Sequence, residues 1–335
     1  MRRSLRWWCL AMTLACGDGE GANGHRSPAR LTERSFSLTV DTLWSVGSAA
    51  GESTFVEPWH LAAGGGAVYV VDAGRGLLAF GADGRPRRAP WADLTQPALL
   101  GPVAVLGDGT IVVVRRDDGT LLALDTSGRR IEATPRAGVR EAVGLCAIDA
   151  STLLISGGQD RLTRIDRAGG APVPFPFPWA ALRDSAGLLR QTVLASEAGR
   201  PGCVVALLVG TGFAILHSAD SVTFHSYIEA IDVPPVRRVV DTAGDRITTT
   251  TAFERRVTAA ASAAVGDSSI YVAFGGGTPR RVGLIDVYDR ATGAYRGSLT
   301  IGAPIRAVAA SAGIVYVLSL NSGVPTLSAY RPRLP

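Results

Sequence analysis

The chain has 335 residues, of which 47% are hydrophobic and 19% charged; that suits a large folded domain and excludes an intrinsically disordered chain. Its formal net charge is +5, but Arg2, Arg3 and Arg6 supply three of those charges, and no basic patch of the kind nucleic-acid binding needs is left elsewhere. All 34 basic residues are arginine, a bias that GC-rich coding accounts for without any special guanidinium chemistry.

Residues 1–16 read as an address. Met1–Arg6 is basic, and Trp7–Ala15 is apolar but too short to span a bilayer as a helix. The run closes Thr13-Leu14-Ala15-Cys16. This resembles a bacterial lipobox, in which the cysteine becomes the lipidated first residue, although Thr13 stands where that pattern prefers Leu, Val or Ile. Lipidation at Cys16, or else simple cleavage and secretion, both imply an extracytoplasmic chain. Residues 17–34, rich in Gly and polar residues, read as a flexible tether.

The rest, residues 35–335, is built from a recurring run. Ala67-Val68-Tyr69-Val70-Val71-Asp72 returns around Ile111, Leu153, Val204, Ile270 and Val315, at steps of 43, 42, 51, 66 and 45 residues counted from Val68. Short β-branched runs at a period in the forties are the pattern of a β-propeller.

In blade one, His60–Ala63, Val68–Val71 and Gly76–Phe80 are strands, and Ala82–Arg85 turns toward a fourth. Blade two has strands at Val103–Leu106, Ile111–Val114 and Leu121–Leu124, separated by Gly107-Asp108-Gly109, Asp117-Asp118-Gly119 and Asp125–Gly128. Asp-Gly is turn chemistry: Gly takes positive φ and Asp bonds the local backbone. The acidic pair Asp117-Asp118 lacks the alternating ligands of a calcium loop. Blade three ends in Pro172–Phe177, whose prolines confine it to a sheet edge. Blade four covers Thr192–Ile228. The excess Ile231–Phe253 contains two runs flanking Ala243-Gly244-Asp245, an inserted hairpin. Blade five starts at Val257.

Blade six has only Ile305–Ala310, Val315–Leu318 and Leu327–Tyr330, one strand too few. Phe36–Trp44 alternates and is one strand too many. Lending it to the last blade closes six blades and removes an open edge. Cys146 and Cys203 each sit in an apolar strand and are expected as separate buried thiols.

These strands, the Asp-Gly turns of blades one and two, and Leu284–Asp289 resemble the six-bladed NHL/TolB-like propellers of bacterial lipoproteins and secreted proteins. That resemblance implies the fold. It leaves activity open, because relatives include binding scaffolds, lactonases and lyases.

In a propeller, the blade-to-blade connections and the loops between second and third strands share one face. Candidate ligand-binding residues at the inner-strand entrances there are Glu57, Trp59, His60, Glu141, Arg190, Arg255, Arg256 and Arg306, with Arg280 in the Gly-rich loop of blade five. Arginines beside a tryptophan suit an anionic ligand. They also suit solvated rim charges and inter-blade salt bridges. No Gly-x-Ser-x-Gly elbow, P-loop or zinc spacing occurs.

The expectation is a membrane-anchored binding or scaffold module, monomeric and without cofactor, taking a protein or a small anionic ligand and no nucleic acid, and touching the membrane through its lipid only. The alternative is a metal-dependent, lactonase-like hydrolase or lyase using Glu57, His60 and Glu141.

Overall fold

The computed structural model describes residues 34–47, 54–87, 100–136, 138–157, 162–167, 169–178, 192–197, 200, 202–208, 210–229, 236–243, 246–253, 260–274 and 283–334. Cys16 and residues 17–33 of the tether lie outside them. The described chain is all-β and forms a six-bladed β-propeller.

An N-terminal strand, β1, runs Thr39–Val46. Blade one has β2 (Pro58–Gly64), β3 (Ala67–Asp72) and β4 (Gly76–Gly81), with Pro86 bridging Phe80 at the outer side. Blade two has β5 (Leu100–Val105), β6 (Ile111–Arg115), β7 (Thr120–Leu124) and β8 (Arg130–Pro135). Blade three has β9 (Ala142–Ala147), β10 (Thr152–Gly157), β11 (Leu162–Asp166) and β12. The proline-rich run there shrinks to Val173–Pro174 in β12, because proline offers no ladder donor, and it does lie at the sheet edge. Blade four has β13 (Thr192–Ala195), β14 (Cys203–Leu207), β15 (Gly212–Ser218) and β16 (Ser221–Ser226).

The inserted hairpin is present as β17 (Val236–Ala243) and β18 (Arg246–Phe253), paired with each other and with no blade. Blade five has β19 (Ser262–Val265), later than the expected start, then β20 (Ser269–Ala273), β21 (Leu284–Asp289) and β22 (Tyr295–Thr300). Blade six has β23 (Ile305–Ser311), β24 (Ile314–Asn321) and β25 (Val324–Arg333).

The closure read from the sequence is seen. Strand β1 pairs antiparallel with β25 from Thr39 opposite Arg333 to Val46 opposite Leu327. Before reaching it, the chain runs along blade five, where the Ser298 amide donates to the Ser35 carbonyl at 2.8 Å and Arg34 grips the buried Asp286 carboxylate through two 3.0 Å bonds. Leu38 is buried between blades five and six. One segment therefore covers two sheet edges, β25 and β22, that would otherwise stand open.

The core consists of six wedges, one between each pair of neighbouring blades. In β3, Tyr69 and Val71 face blade two, whereas Val68 and Val70 face blade six. A strand buried on both faces needs an unbroken apolar run, and this is why the second strands carry the repeat.

Asp72, which ends that run, is fully buried. Its carboxylate accepts four backbone amides, from Val56 (2.8 Å), Glu57 (3.2 Å), Gly74 (2.7 Å) and Arg75 (3.0 Å), and so fixes the entry to β2 against the β3–β4 turn. Asp108 and Asp118 each accept the amide two residues on, as turn residues do. Gly84 has φ +78°, and a Cβ there would come within 2.7 Å of the Trp44 ring.

The expectation of two free thiols is corrected. Cys146 on β9 and Cys203 on β14 form a disulfide, with Cα atoms 6.0 Å apart across the wedge between blades three and four. They are 57 residues apart in sequence, and only the packing of one blade on the next brings them together.

Candidate functional site: the mouth of the axial channel

Each blade's innermost strand pairs on one side only, so its other edge faces the axis. Several of those free edge amides are capped by side chains of neighbouring blades. The Val308 amide donates to Ser262 Oγ at 3.0 Å, the Ala147 amide to Ser196 Oγ at 3.2 Å, and the Val103 amide, more weakly, to His60 Nδ1 at 3.4 Å. The six edges enclose a channel of about 500 Å³, within the range usual for ligand pockets.

Apart from Ser196, which follows the last residue of β13, most of the polar lining gathers at one end, where the inner strands start and the second strands finish. Trp59 and His60 come from the start of β2, Thr192 from the start of β13 and Arg306 from the start of β23. Ser156 comes from the end of β10 and Arg116 from the turn after β6. Among the described residues no aspartate or glutamate lines the channel.

Arg116 is held in place from two sides. Its Nη2 donates to the Ala142 carbonyl at 3.0 Å, and Cζ lies 5.3 Å from the centroid of the Trp59 ring, a cation–π contact. Its Nε is buried with no hydrogen-bond partner. Thr192, 7% exposed, likewise has a buried Oγ1 with no partner. Arg306 is exposed and pairs with none of the described residues.

His60 packs edge-on to Trp59, centroids 5.5 Å apart. It lines the channel and is half-buried, with protein packed closely around the ring, so its imidazolium is poorly solvated. Burial lowers its pKa from 6.5 to about 4, and the ring is neutral at pH 7. The positive charge of the mouth therefore belongs to the two arginines.

Of the residues singled out in the sequence, Trp59, His60 and Arg306 meet at this mouth. Glu57 and Glu141 are exposed and do not line the channel, and among the described residues no three His, Cys, Asp or Glu side chains stand close enough to share a metal ion. Arg190, Arg255, Arg256 and Arg280 lie outside the described residues. Sequence reading missed Arg116 and Thr192. For Arg116 a signal existed: the loop between second and third strands opens on the same face as the inner-strand starts, and Arg116 follows the second strand of blade two.

A six-bladed propeller whose axial channel has an arginine-bearing mouth, with no carboxylate among its described lining residues, is thus the class that fold and site define. The chain is similar to the β-propeller domain of Cps50 (Swd1) from Myceliophteria thermophila, at 8% identity and TM-score 0.50, covering 88% of this chain and 99% of that one. It is similar also to virginiamycin B lyase from Staphylococcus aureus (8% identity, TM-score 0.48, 88% and 98% covered) and to BamB from Moraxella catarrhalis (14%, 0.38, 82% and 81%). At these identities the likeness concerns the fold. No protein-family model and no curated protein matches the chain.

Proposed function

We propose that the protein is an extracytoplasmic, lipid-anchored binding module whose channel mouth captures a small anionic ligand. The observation that carries this reading is the pair of buried, unpartnered polar atoms, Arg116 Nε and Thr192 Oγ1, at a mouth without a single carboxylate among its described residues. A buried donor left unpaired costs about 1–3 kcal/mol, and an anion's oxygen would recover it.

The compartment rests on the basic, apolar, Cys16-terminated start, and the Cys146–Cys203 disulfide agrees with an oxidising environment. Kinship with NHL/TolB-like propellers rests on the blade-one motif ending in Asp72. The hydrolase or lyase alternative draws no support from the arrangement, since Glu57 and Glu141 stand off the channel.

Calorimetric titration of the full chain with benzoate and with inorganic phosphate tests the site. Binding of one of them, weakened at least tenfold by Arg116→Ala and by Arg306→Ala, is expected; no binding of either ends the reading. For the anchor, a Cys16→Ser chain should lose incorporated fatty acid and leave the membrane fraction.

A further inference from the structure

Away from the channel, blade four brings two of the chain's four histidines to one hydroxyl. His217 Nε2 and His225 Nε2 each lie 3.1 Å from Thr223 Oγ1. Thr223 and His225 are two residues apart on β16 and so share a face of the sheet. His217 is the extra residue of a bulge near the end of β15, since Leu216 stands opposite Val222 and Ser218 opposite Ser221. A bulge re-aims a side chain, and this one delivers the second imidazole to the same hydroxyl.

The His225 ring is held from two sides. The Phe213 ring lies against it, centroids 5.4 Å apart, and a Cβ at Gly293, in the β21–β22 turn of blade five, would run into its Nδ1 side. Nε2 is therefore the nitrogen it presents to Thr223. Burial, and after it the charge of His217, lowers the His225 pKa below 6.5, so the ring is neutral at pH 7. His217 is exposed, and its ring can turn. Arg290, which lines the same small cleft between blades four and five, is ion-paired with Glu197.

Two neutral imidazoles converging through Nε2, one ring fixed and one adjustable, have the chemistry of transition-metal ligands. Each nitrogen of such a site lies about 2.0 Å from the metal, so the two must come within about 4 Å of each other. Around the shared hydroxyl they stand no more than twice 3.1 Å apart, and a small turn of His217 closes the difference. We infer that His217 and His225 together bind a borderline divalent transition ion, copper(II) more tightly than zinc, with water completing the shell on the solvent side. Calcium and magnesium take oxygen ligands, and among the described residues no Asp or Glu joins the pair. The site is independent of the anion-binding mouth, since neither histidine lines the channel.

The full chain, freed of metal by chelator and dialysed, is titrated calorimetrically with CuCl2, ZnCl2 and CaCl2 in separate runs. Copper and zinc should bind, copper more tightly. His217→Ala and His225→Ala should each weaken both by about tenfold or more, the least that losing even an outer-shell partner costs a metal site. Metal held elsewhere on the chain cancels in the difference between wild type and variant. Electron paramagnetic resonance of the copper form should show coupling to imidazole nitrogen that is reduced in His217→Ala. Variants that bind copper and zinc as the wild type does overturn the inference, and so does calcium binding as tightly as zinc. Should His225→Ala fail to fold, the exposed His217→Ala decides alone.

Discussion

The Arg116 guanidinium lies over the Trp59 ring, 5.3 Å from its centroid, with Nη2 tied to the Ala142 carbonyl and Nε left without a partner. The geometry is a planar fork stacked on an aromatic face, which an ammonium cannot reproduce. Arg116→Lys should therefore behave almost like Arg116→Ala, losing about tenfold in anion affinity by calorimetry although the charge is kept. Full affinity in the lysine variant would reduce the role of Arg116 to its charge.

The disulfide closes a loop across two blades. With the cysteines 57 positions apart, cross-linking is worth about 4 kcal/mol by loop entropy, and measured values commonly fall in the range of about 2–4 kcal/mol. The double variant Cys146→Ala/Cys203→Ala should unfold at lower urea concentration by a corresponding amount. A thiol reductant added during unfolding should destabilise the wild type and leave the variant unchanged.

Asp72 serves four amides from a fully buried position. Asp72→Ala strands donors at both the entry to β2 and the β3–β4 turn, and should cost about 3 kcal/mol or more in chemical denaturation. Because the entry to β2 carries Trp59 and His60, ligand affinity should fall with it. Asp83, exposed in a surface turn, accepts the Arg85 amide, and Asp83→Ala should cost under about 1 kcal/mol.

Closure of the ring depends on Trp44. Its Nε1 donates to the Ala82 carbonyl at 2.7 Å, and its ring packs 6.0 Å from Tyr316 and over Gly84, so a blade-six strand is clipped to a blade-one turn. Trp44→Ala should lower stability by about 2–3 kcal/mol. Hydrogen exchange should then rise first in β1 and β25, the pair that closes the ring; uniform exchange across all blades would contradict this.

His60 sets a pH dependence. In the unfolded chain it takes a proton near 6.5, and in the folded chain only near 4. Between those values the unfolded state binds more protons, so stability from this group is present above about pH 6.5 and is lost as pH falls toward 4. The loss is at most about 3 kcal/mol. His60→Asn should flatten the stability profile over that window, measured as urea midpoint against pH.

Much of the fold was legible because a propeller repeats one physical problem. Every second strand is buried on both faces, so AVYVVD and its five echoes had to be continuous apolar runs. The strand surplus at Phe36–Trp44 and the deficit in blade six showed how the ring closes. Asp-Gly at 83–84 and the Asp108-Gly109 turn showed where the chain reverses.

The site was legible only in part. Trp59, His60 and Arg306 follow from their place at inner-strand starts, a position that strand order alone fixes. What tertiary structure decided was pairing between blades. Cys146 meets Cys203, Arg116 of blade two stacks on Trp59 of blade one, and Arg34 reaches Asp286 across the sequence. Periodicity records which face of a strand is buried, because burial acts on each residue separately. Which residue of one blade touches which of the next depends on blade tilt and side-chain packing, and these are set only when the whole ring closes.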